Sequence, residues 1–474
     1  MKIAIVTGLL LLVLKGYTQV IDSVGHREST TMRKNEKSDQ NGEQTVNNLK
    51  DWFVKGHFGG LIRNSFMATI NQRDLKDYWA NGTGGRLYYH TSEFKGFQMG
   101  LGGLFVFNTG SSDLTEADPV VGKGSRWEAQ LFDITDPSNK DDMDRLEELF
   151  LKYRYKKSWI KLGKMGISTP LVNKQDTRLK PTVLSGVWAE INEWKNVSVS
   201  AGWFTKSSPR STTAWYDLEA TIGLYGKGCN PDGTKSGYAG NITTNGLGIL
   251  GIDYNFNDRL EIQIWDYYIE NILNAGFFQT DYHIGQYELG FQYLREDQVN
   301  AGGNPDPART YFPSGHTTNL FSLKAGIKKS KWSTSFNYTQ GLNTGRFLFP
   351  RELGTARLYT YISRHRVEGL GDFQTFMMKF NYFPLDDSSL NVGVYVGRTN
   401  SNDMRDFELN KYGFMSYNQL NIDLNYELKG WLAGLDVRAL YVLDTSFDKS
   451  IENPDYVFNK TNLSHVNIMA TLNF

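Results

Sequence analysis

The sequence predicts an all-β chain: a transmembrane antiparallel β-barrel of about eighteen strands with one loop folded inward as a constriction. Three observations carry that expectation. First, the stretch Ser464 to Phe474 (SHVNIMATLNF) places Val466, Ile468, Ala470, Leu472 and Phe474 on one face and His465, Asn467, Met469, Thr471 and Asn473 on the other. A strand that is oily on one side and polar on the other suits a barrel wall in lipid. A half-buried strand of a soluble sheet shares the pattern, so the last strand does not decide alone. Second, Lys2, the apolar run Ile3 to Leu14 and the small-x-small triplet Gly16-Tyr17-Thr18 before Gln19 read as a secretory leader over 1–18. No Cys stands there to accept a lipid, and no later run is long and oily enough for a spanning helix. An exported chain without a helical anchor is released, kept in the periplasm or inserted as a closed barrel, the other structure that satisfies its backbone in lipid. Third, a mean hydropathy of −0.45 coexists with 14% aromatic residues. Tyr and Trp belong where one end of the ring is apolar and the other wet, as in the girdles of a barrel.

The elements follow in order. Residues 19–50 are polar, charged and too poor in apolar side chains to fold alone, so they are expected to form a flexible periplasmic tail ahead of a barrel over 51–474. Weaker alternating segments lie near 52–71, 146–156, 157–166, 182–193, 196–206, 246–256, 259–269, 276–284 and 286–296. Clear hairpins join 86–90 to 97–107 through Glu93-Phe94-Lys95-Gly96, and 321–328 to the strand around Trp332 to Tyr338. Others join 376–382 to 390–396 and 420–428 to 435–441, and 464–474 ends the series. Long connections at about 109–145, 206–245, 297–318, 340–370, 399–413 and 444–463 alternate with tight turns. That rhythm matches long extracellular loops and short periplasmic turns. An even strand count leaves both termini on the periplasmic side, where Phe474 is available to the barrel-assembly machinery.

Several function classes fall away. With 51 basic and 51 acidic residues there is no global field to attract nucleic acid. The single Cys229 excludes an intramolecular disulfide framework, and its loop-like neighbours (GKGCNPDG) assign it no role. The seven histidines are scattered, and His90 and His283 have no sequence-evident partner for a barrel hydrolase. The stretch before Trp52 is too short for the plug of an energy-coupled transporter. Neither a cofactor nor a metal is expected.

If the apolar face meets lipid, Arg86, Lys152, Arg154, Lys156 and Lys161 point inward from early strands, and Asp253, Glu261, Glu288, Asp423 and Glu427 from later ones. Lysine and arginine alternating with Tyr153 and Tyr155 form a row of cations roughly 7 Å apart. Facing carboxylates across the lumen, such a row guides an anionic solute; the plainer reading is that any water-filled lumen carries charge. The stretch Gly163 to Pro181 has two prolines and little hairpin chemistry, which suits a loop folded into the lumen. A second segment, 340–370, holds Arg346, Arg351, Arg357, Arg364, His365 and Arg366. It is either a cationic collar or a solvated surface loop touching lipopolysaccharide.

At this point the sequence resembles a family. Trp159 to Pro170 (WIKLGKMGISTP) and Asp176 to Glu190 (DTRLKPTVLSGVWAE) are similar to the OprD family of outer-membrane porins, with its G-x-x-x-x-x-x-P…D-x-R-L-x-P-x-x-x-x-G pattern. Arg73 to Gly103 resembles that family's first strands. The resemblance implies a monomeric barrel, with a trimer left open, an inward third loop, and passive uptake of small solutes bearing a carboxylate past a ladder of cations. Arg154, Lys156, Lys161 and Arg178 are the candidates for that ladder, and Asp176 for a partner of Arg178; Lys180, before Pro181, departs from the family. The expected function is an outer-membrane channel for small hydrophilic solutes, carboxylate-favouring or else non-selective, in a Gram-negative bacterium; a barrel enzyme and an adhesin are the remaining alternatives. Its partners would be those solutes, outer-membrane lipid and lipopolysaccharide, and the assembly machinery.

Overall fold

The computed structural model describes residues 46–474 apart from 73, 176, 258 and 448–452; the leader and most of the polar stretch expected at 19–50 lie outside the described residues. A short helix, α1 (Leu49–Val54), precedes the first strand, so the end of that polar stretch is helical. The strands in chain order are β1 (His57–Asn71), β2 (Tyr78–His90), β3 (Phe97–Ser111), β4 (Met143–Tyr155), β5 (Ser158–Met165), β6 (Val183–Ile191) and β7 (Val197–Ser208). They continue as β8 (Tyr216–Asp217), β9 (Leu247–Phe256), β10 (Leu260–Ile269), β11 (Leu273–Ile284), β12 (Tyr287–Gln298) and β13 (Thr317–Lys328). The last are β14 (Trp332–Gly341), β15 (Phe373–Tyr382), β16 (Leu390–Asn400), β17 (Tyr417–Glu427), β18 (Leu435–Ser446) and β19 (Leu463–Asn473).

Eighteen of these make a closed antiparallel wall. β8 is a two-residue strand on the edge of β7, whose main partner is β9. The ring shuts where β1 pairs with β19, from Leu61 opposite Asn473 to Asn71 opposite Leu463. The connections alternate between short turns at one end and long loops at the other, as the sequence rhythm indicated. At the turn between β2 and β3, Lys95 and Gly96 take φ of 51° and 85°. Positive φ at both central residues is what a two-residue hairpin turn requires.

Burial runs opposite to that of a soluble sheet. In β19 the apolar Ile468 and Leu472 are exposed, whereas His465, Asn467 and Thr471 are buried. The same parity holds in β15, where Phe376, Met378 and Phe380 face out and Thr375 and Met377 face in. β2 begins earlier than its periodicity suggests, because Asn81-Gly82-Thr83-Gly84-Gly85 reads as turn chemistry yet lies within the strand. Gly82 has a structural reason: a Cβ there would stand 2.5 Å from Leu179 Cδ1 and 2.9 Å from Phe132 Cε1, both on loops pressed against the inner wall.

The parity gives a direct test. Ile468, central in β19 and outward-facing, is expected to lose about 2–4 kcal/mol of folding stability on Ile468→Arg, the cost of a cation at the bilayer midplane. Denaturant titration of folding into vesicles measures it; a loss below about 0.5 kcal/mol would mean that this face does not meet lipid.

Candidate functional site

The inner wall is polar, and three of the long loops fasten to it. Loop 166–182 crosses to β10, where the Tyr267 hydroxyl accepts from Leu171 N at 3.2 Å and donates to Thr169 Oγ1 at 3.0 Å. Its far end is held by two strand arginines. Arg63 donates to the Arg178 carbonyl at 2.6 Å and to Thr471 Oγ1 at 2.9 Å, and Arg145 donates to the Pro181 carbonyl at 2.7 Å. Leu171, Val172, Thr169 and Asn173 are all buried as a result.

Loop 342–372 takes a longer path around the wall. Gln292 of β12 donates to the Arg357 carbonyl at 3.0 Å and accepts from Tyr359 N at 3.0 Å, while the Tyr359 hydroxyl donates to Asp281 of β11 at 2.9 Å. Lys379 of β15 donates to the Tyr361 carbonyl at 2.7 Å. Gln419 and Asn421 of β17 both donate to the Ser363 carbonyl, at 2.8 and 2.9 Å. These wall residues lie several positions down their strands at about 3.3 Å per residue. The segment is therefore neither a collar at the mouth nor a solvated surface loop. The two loops also join each other: Asn173 Nδ2 donates to the Thr355 carbonyl at 2.9 Å, and Arg357 N to the Pro170 carbonyl at 3.1 Å.

Loop 112–142 completes the assembly through a relay across the barrel seam. Arg364 donates to His465 Nε2 at 2.8 Å. That leaves His465 Nδ1 as the protonated nitrogen, facing Thr69 Oγ1 at 2.9 Å, and the Thr69 hydroxyl in turn donates a hydrogen bond to Glu128. All three receiving groups are fully buried. Burial also pulls His365, on the same loop as Arg364, down to about 3, so it stays neutral.

Between these loops lies a cavity of about 110 Å³. Among the described residues, Arg178, Arg210, Arg351, Arg364, Arg366 and Arg438 line it against one acidic side chain, Glu368, with Trp127, Tyr225, Phe347 and Phe349 supplying apolar surface. Two of the arginines are neutralised: Arg351 by Glu368 at 2.9 Å, and Arg438 by Asp423, a nearly buried carboxylate held in a two-point contact at 2.6 and 2.9 Å. Among the described residues, the other four have no carboxylate in ion-pair contact. Arg178 meets Gln130 and Ser211, Arg210 meets the Gln175 carbonyl and Thr177, Arg364 meets His465, and Arg366 has no hydrogen-bonded or ion-paired side-chain partner among the described residues. The Nε atoms of Arg178, Arg210 and Arg364 are buried without an acceptor.

The sequence-expected ladder is distributed differently. Arg178 lines the cavity, and Asp176 lies outside the described residues. Arg86 pairs with Glu147 at 2.8 Å, and Arg154 with Glu93 of the β2–β3 turn at 2.8 Å. Lys152 and Lys161 face each other in register across β4 and β5 and lie over aromatic rings, Lys152 over Trp159 at 4.8 Å and Lys161 over Phe150 at 4.2 Å. The expected row of three cations on β4 is shorter, because Lys156 sits on the tight turn with φ of 54° and is exposed there. Lys180 corrects the expectation of a pore-lining group. It is fully buried, its ammonium donates to the Leu131 and Phe132 carbonyls, and burial lowers its pKa to about 7, so it fastens two loops together and offers no surface to a solute. Sequence reasoning placed Arg351, Arg364 and Arg366 in a candidate collar but left out Arg63, Arg145, Arg210 and Arg438. Only the pairing of strands and loops reveals those four.

Comparison with known proteins bears on the fold and the family. The family described as outer membrane porin, OprD family, matches residues 120–352. Over that stretch, just under half of its length, the chain is similar to the OprD family of porins. The porin is 24% identical over 251 residues to the porin-like protein GalP of Pseudomonas putida, an alignment covering 51% of this chain and 55% of that one, so it spans about half the length of that curated relative. Among solved structures it is similar to Pseudomonas aeruginosa OccK9 (OpdG), with a TM-score of 0.69, 14% identity, and coverage of 89% and 100% of the two chains. It is also similar to Acinetobacter baumannii OccAB2, with a TM-score of 0.67, 15% identity, and coverage of 90% and 99%. A third, Pseudomonas aeruginosa OpdK, was solved with vanillate, at a TM-score of 0.64, 16% identity, and coverage of 89% and 99%. At these identities the likeness is one of fold. Fold and family make the porin a β-barrel of the Gram-negative outer membrane.

The Asp423–Arg438 pair yields a prediction. Asp423→Asn keeps the shape but leaves Arg438 uncompensated beside the cavity, so the reversal potential across a planar bilayer in a salt gradient is expected to move toward the anion value. An unchanged or cation-directed shift would place Arg438 outside the conducting path.

Proposed function

We propose that the porin admits small hydrophilic solutes by passive diffusion and favours those bearing carboxylates, such as amino acids, small peptides or organic acids. The observation that carries this reading is the set of four arginines, Arg178, Arg210, Arg364 and Arg366, facing one cavity without a carboxylate in ion-pair contact among the described residues. Guanidinium groups recognise carboxylates through paired donors, and a cleft lined by one sign of charge concentrates the opposite ion by about ten-fold or more. Aromatic side chains in the same wall accommodate the carbon skeleton of such a solute. The reading also takes the barrel as a monomer in contact with lipopolysaccharide. Phe474 serves as the signal to assembly machinery; its ring is exposed, and its backbone is paired to Gly60 in the finished barrel.

The test is uptake into liposomes of 1,4-butanediol, butyrate and succinate, a neutral, singly charged and doubly charged series of similar size. Uptake is expected to rise along the series. Replacing Arg210 and Arg366 together by Gln is expected to lower succinate uptake by roughly three- to ten-fold, within the range that charge focusing supports, while butanediol is unaffected. Equal uptake of all three would make the porin non-selective.

A further inference from the structure

Helix α1 stands outside the barrel and buries none of its own side chains. Leu49, Phe53 and Val54 are 62, 52 and 72% exposed, an unusual load for a six-residue helix. At 100° per residue these three share one side, with Lys50 between Phe53 and Val54. So short a helix does not persist in water unaided. Its cap, with Asn48 accepting from Asp51 N at 3.0 Å, and its Asp51–Lys55 ion pair at 3.1 Å are local and weak.

The structure ties it instead to the β2–β3 turn. Trp52 Nε1 donates to the Phe97 carbonyl at 3.1 Å, Ser92 N to the Trp52 carbonyl at 3.1 Å, the Tyr89 hydroxyl to the Phe53 carbonyl and the Ser92 hydroxyl to the Lys55 carbonyl. Tyr89 has the parity of Leu87, whose side chain is exposed on the outer face of β2, and Phe97 is exposed beside Tyr153 with ring centroids 4.8 Å apart. With Phe58, Tyr155 and Phe474, these form an outward apolar and aromatic rim at the short-turn end, and α1 adds its own apolar side to that rim.

We propose that α1 lies in the headgroup boundary of the leaflet at the short-turn end and inserts Leu49, Phe53 and Val54 among lipid acyl chains. The occupant of its exposed side is the bilayer, because that side continues the lipid-facing belt. Trp52 and Tyr89 have their polar tips bonded to backbone at the level where aromatic rings with one wet end settle, and Lys50 is placed to extend toward lipid phosphates.

The experiment uses the full chain with Cys229→Ala and a single new cysteine carrying a nitrobenzoxadiazole fluorophore, either Phe53→Cys or, as the water-facing control on a long loop, Val120→Cys, which is 66% exposed in the native chain. Heat-modifiable gel mobility first shows that each variant forms the barrel. In lipid vesicles the label at 53 is expected to emit to the blue of the label at 120, to lose more than half its intensity to lipids nitroxide-labelled near the headgroup, and to resist aqueous iodide. Adding Leu49→Ser and Val54→Ser should raise iodide quenching at 53 several-fold. Equal iodide quenching at 53 and 120 in the otherwise native helix would overturn the proposal, as would insensitivity of the label at 53 to the nitroxide lipids.

Discussion

Everything else in this porin depends on the requirement that no strand facing lipid leave a backbone donor or acceptor unpaired. A sheet meets it only by closing, and here closure falls on β1 and β19, extended to the last residue by reciprocal bonds between Gly60 and Phe474 at 2.9 and 3.0 Å. Closure then fixes the side chains. With apolar residues turned out, the alternate positions bring Arg63, Gln292, Lys379, Gln419 and Asn421 into the interior, where each needs a partner. The loops supply those partners as carbonyl groups. They are placed by the wall's hydrogen-bonding demand as much as by their own sequence.

Charge is sorted by the same logic. On the early strands, cations meet carboxylates near at hand: Arg86 and Arg145 share Glu147, and Arg154 takes Glu93. Among the described residues, charge without an ion-pair partner accumulates on the loops, where four arginines from three separate loops converge. A field built from loops is more easily altered in evolution than one built from the wall, since a loop residue can change without disturbing a ladder or exposing a polar group to lipid.

Much of the wall was legible in the sequence. The two-residue period over about eighteen segments, and the alternation of tight turns with long polar connections, follow directly from a strand with different solvents on its two sides. The first half of β2 was not legible, because its glycines serve a contact with Leu179 and Phe132 that is remote in sequence, and in isolation they look like a turn. The site was legible only in part. Arg178 and the arginines of loop 342–372 stood out by density, but nothing local distinguishes Arg63 or Arg145, which bind loop carbonyls, from any cation on a water-filled wall. Nor does anything local show that Lys180 is sealed beneath a neighbouring loop. These roles belong to pairs of segments far apart in the chain.

The hydrogen-bond chain from Arg364 through His465 and Thr69 to Glu128 makes the closure of the wall and the seating of two loops one structural unit. Its members come from the first strand, the last strand and two loops in between, and it spans the seam at which the wall closes. The grip of Arg364 on His465 exists only where β19 stands beside β1, so whatever loosens that junction also loosens two of the loops that narrow the interior.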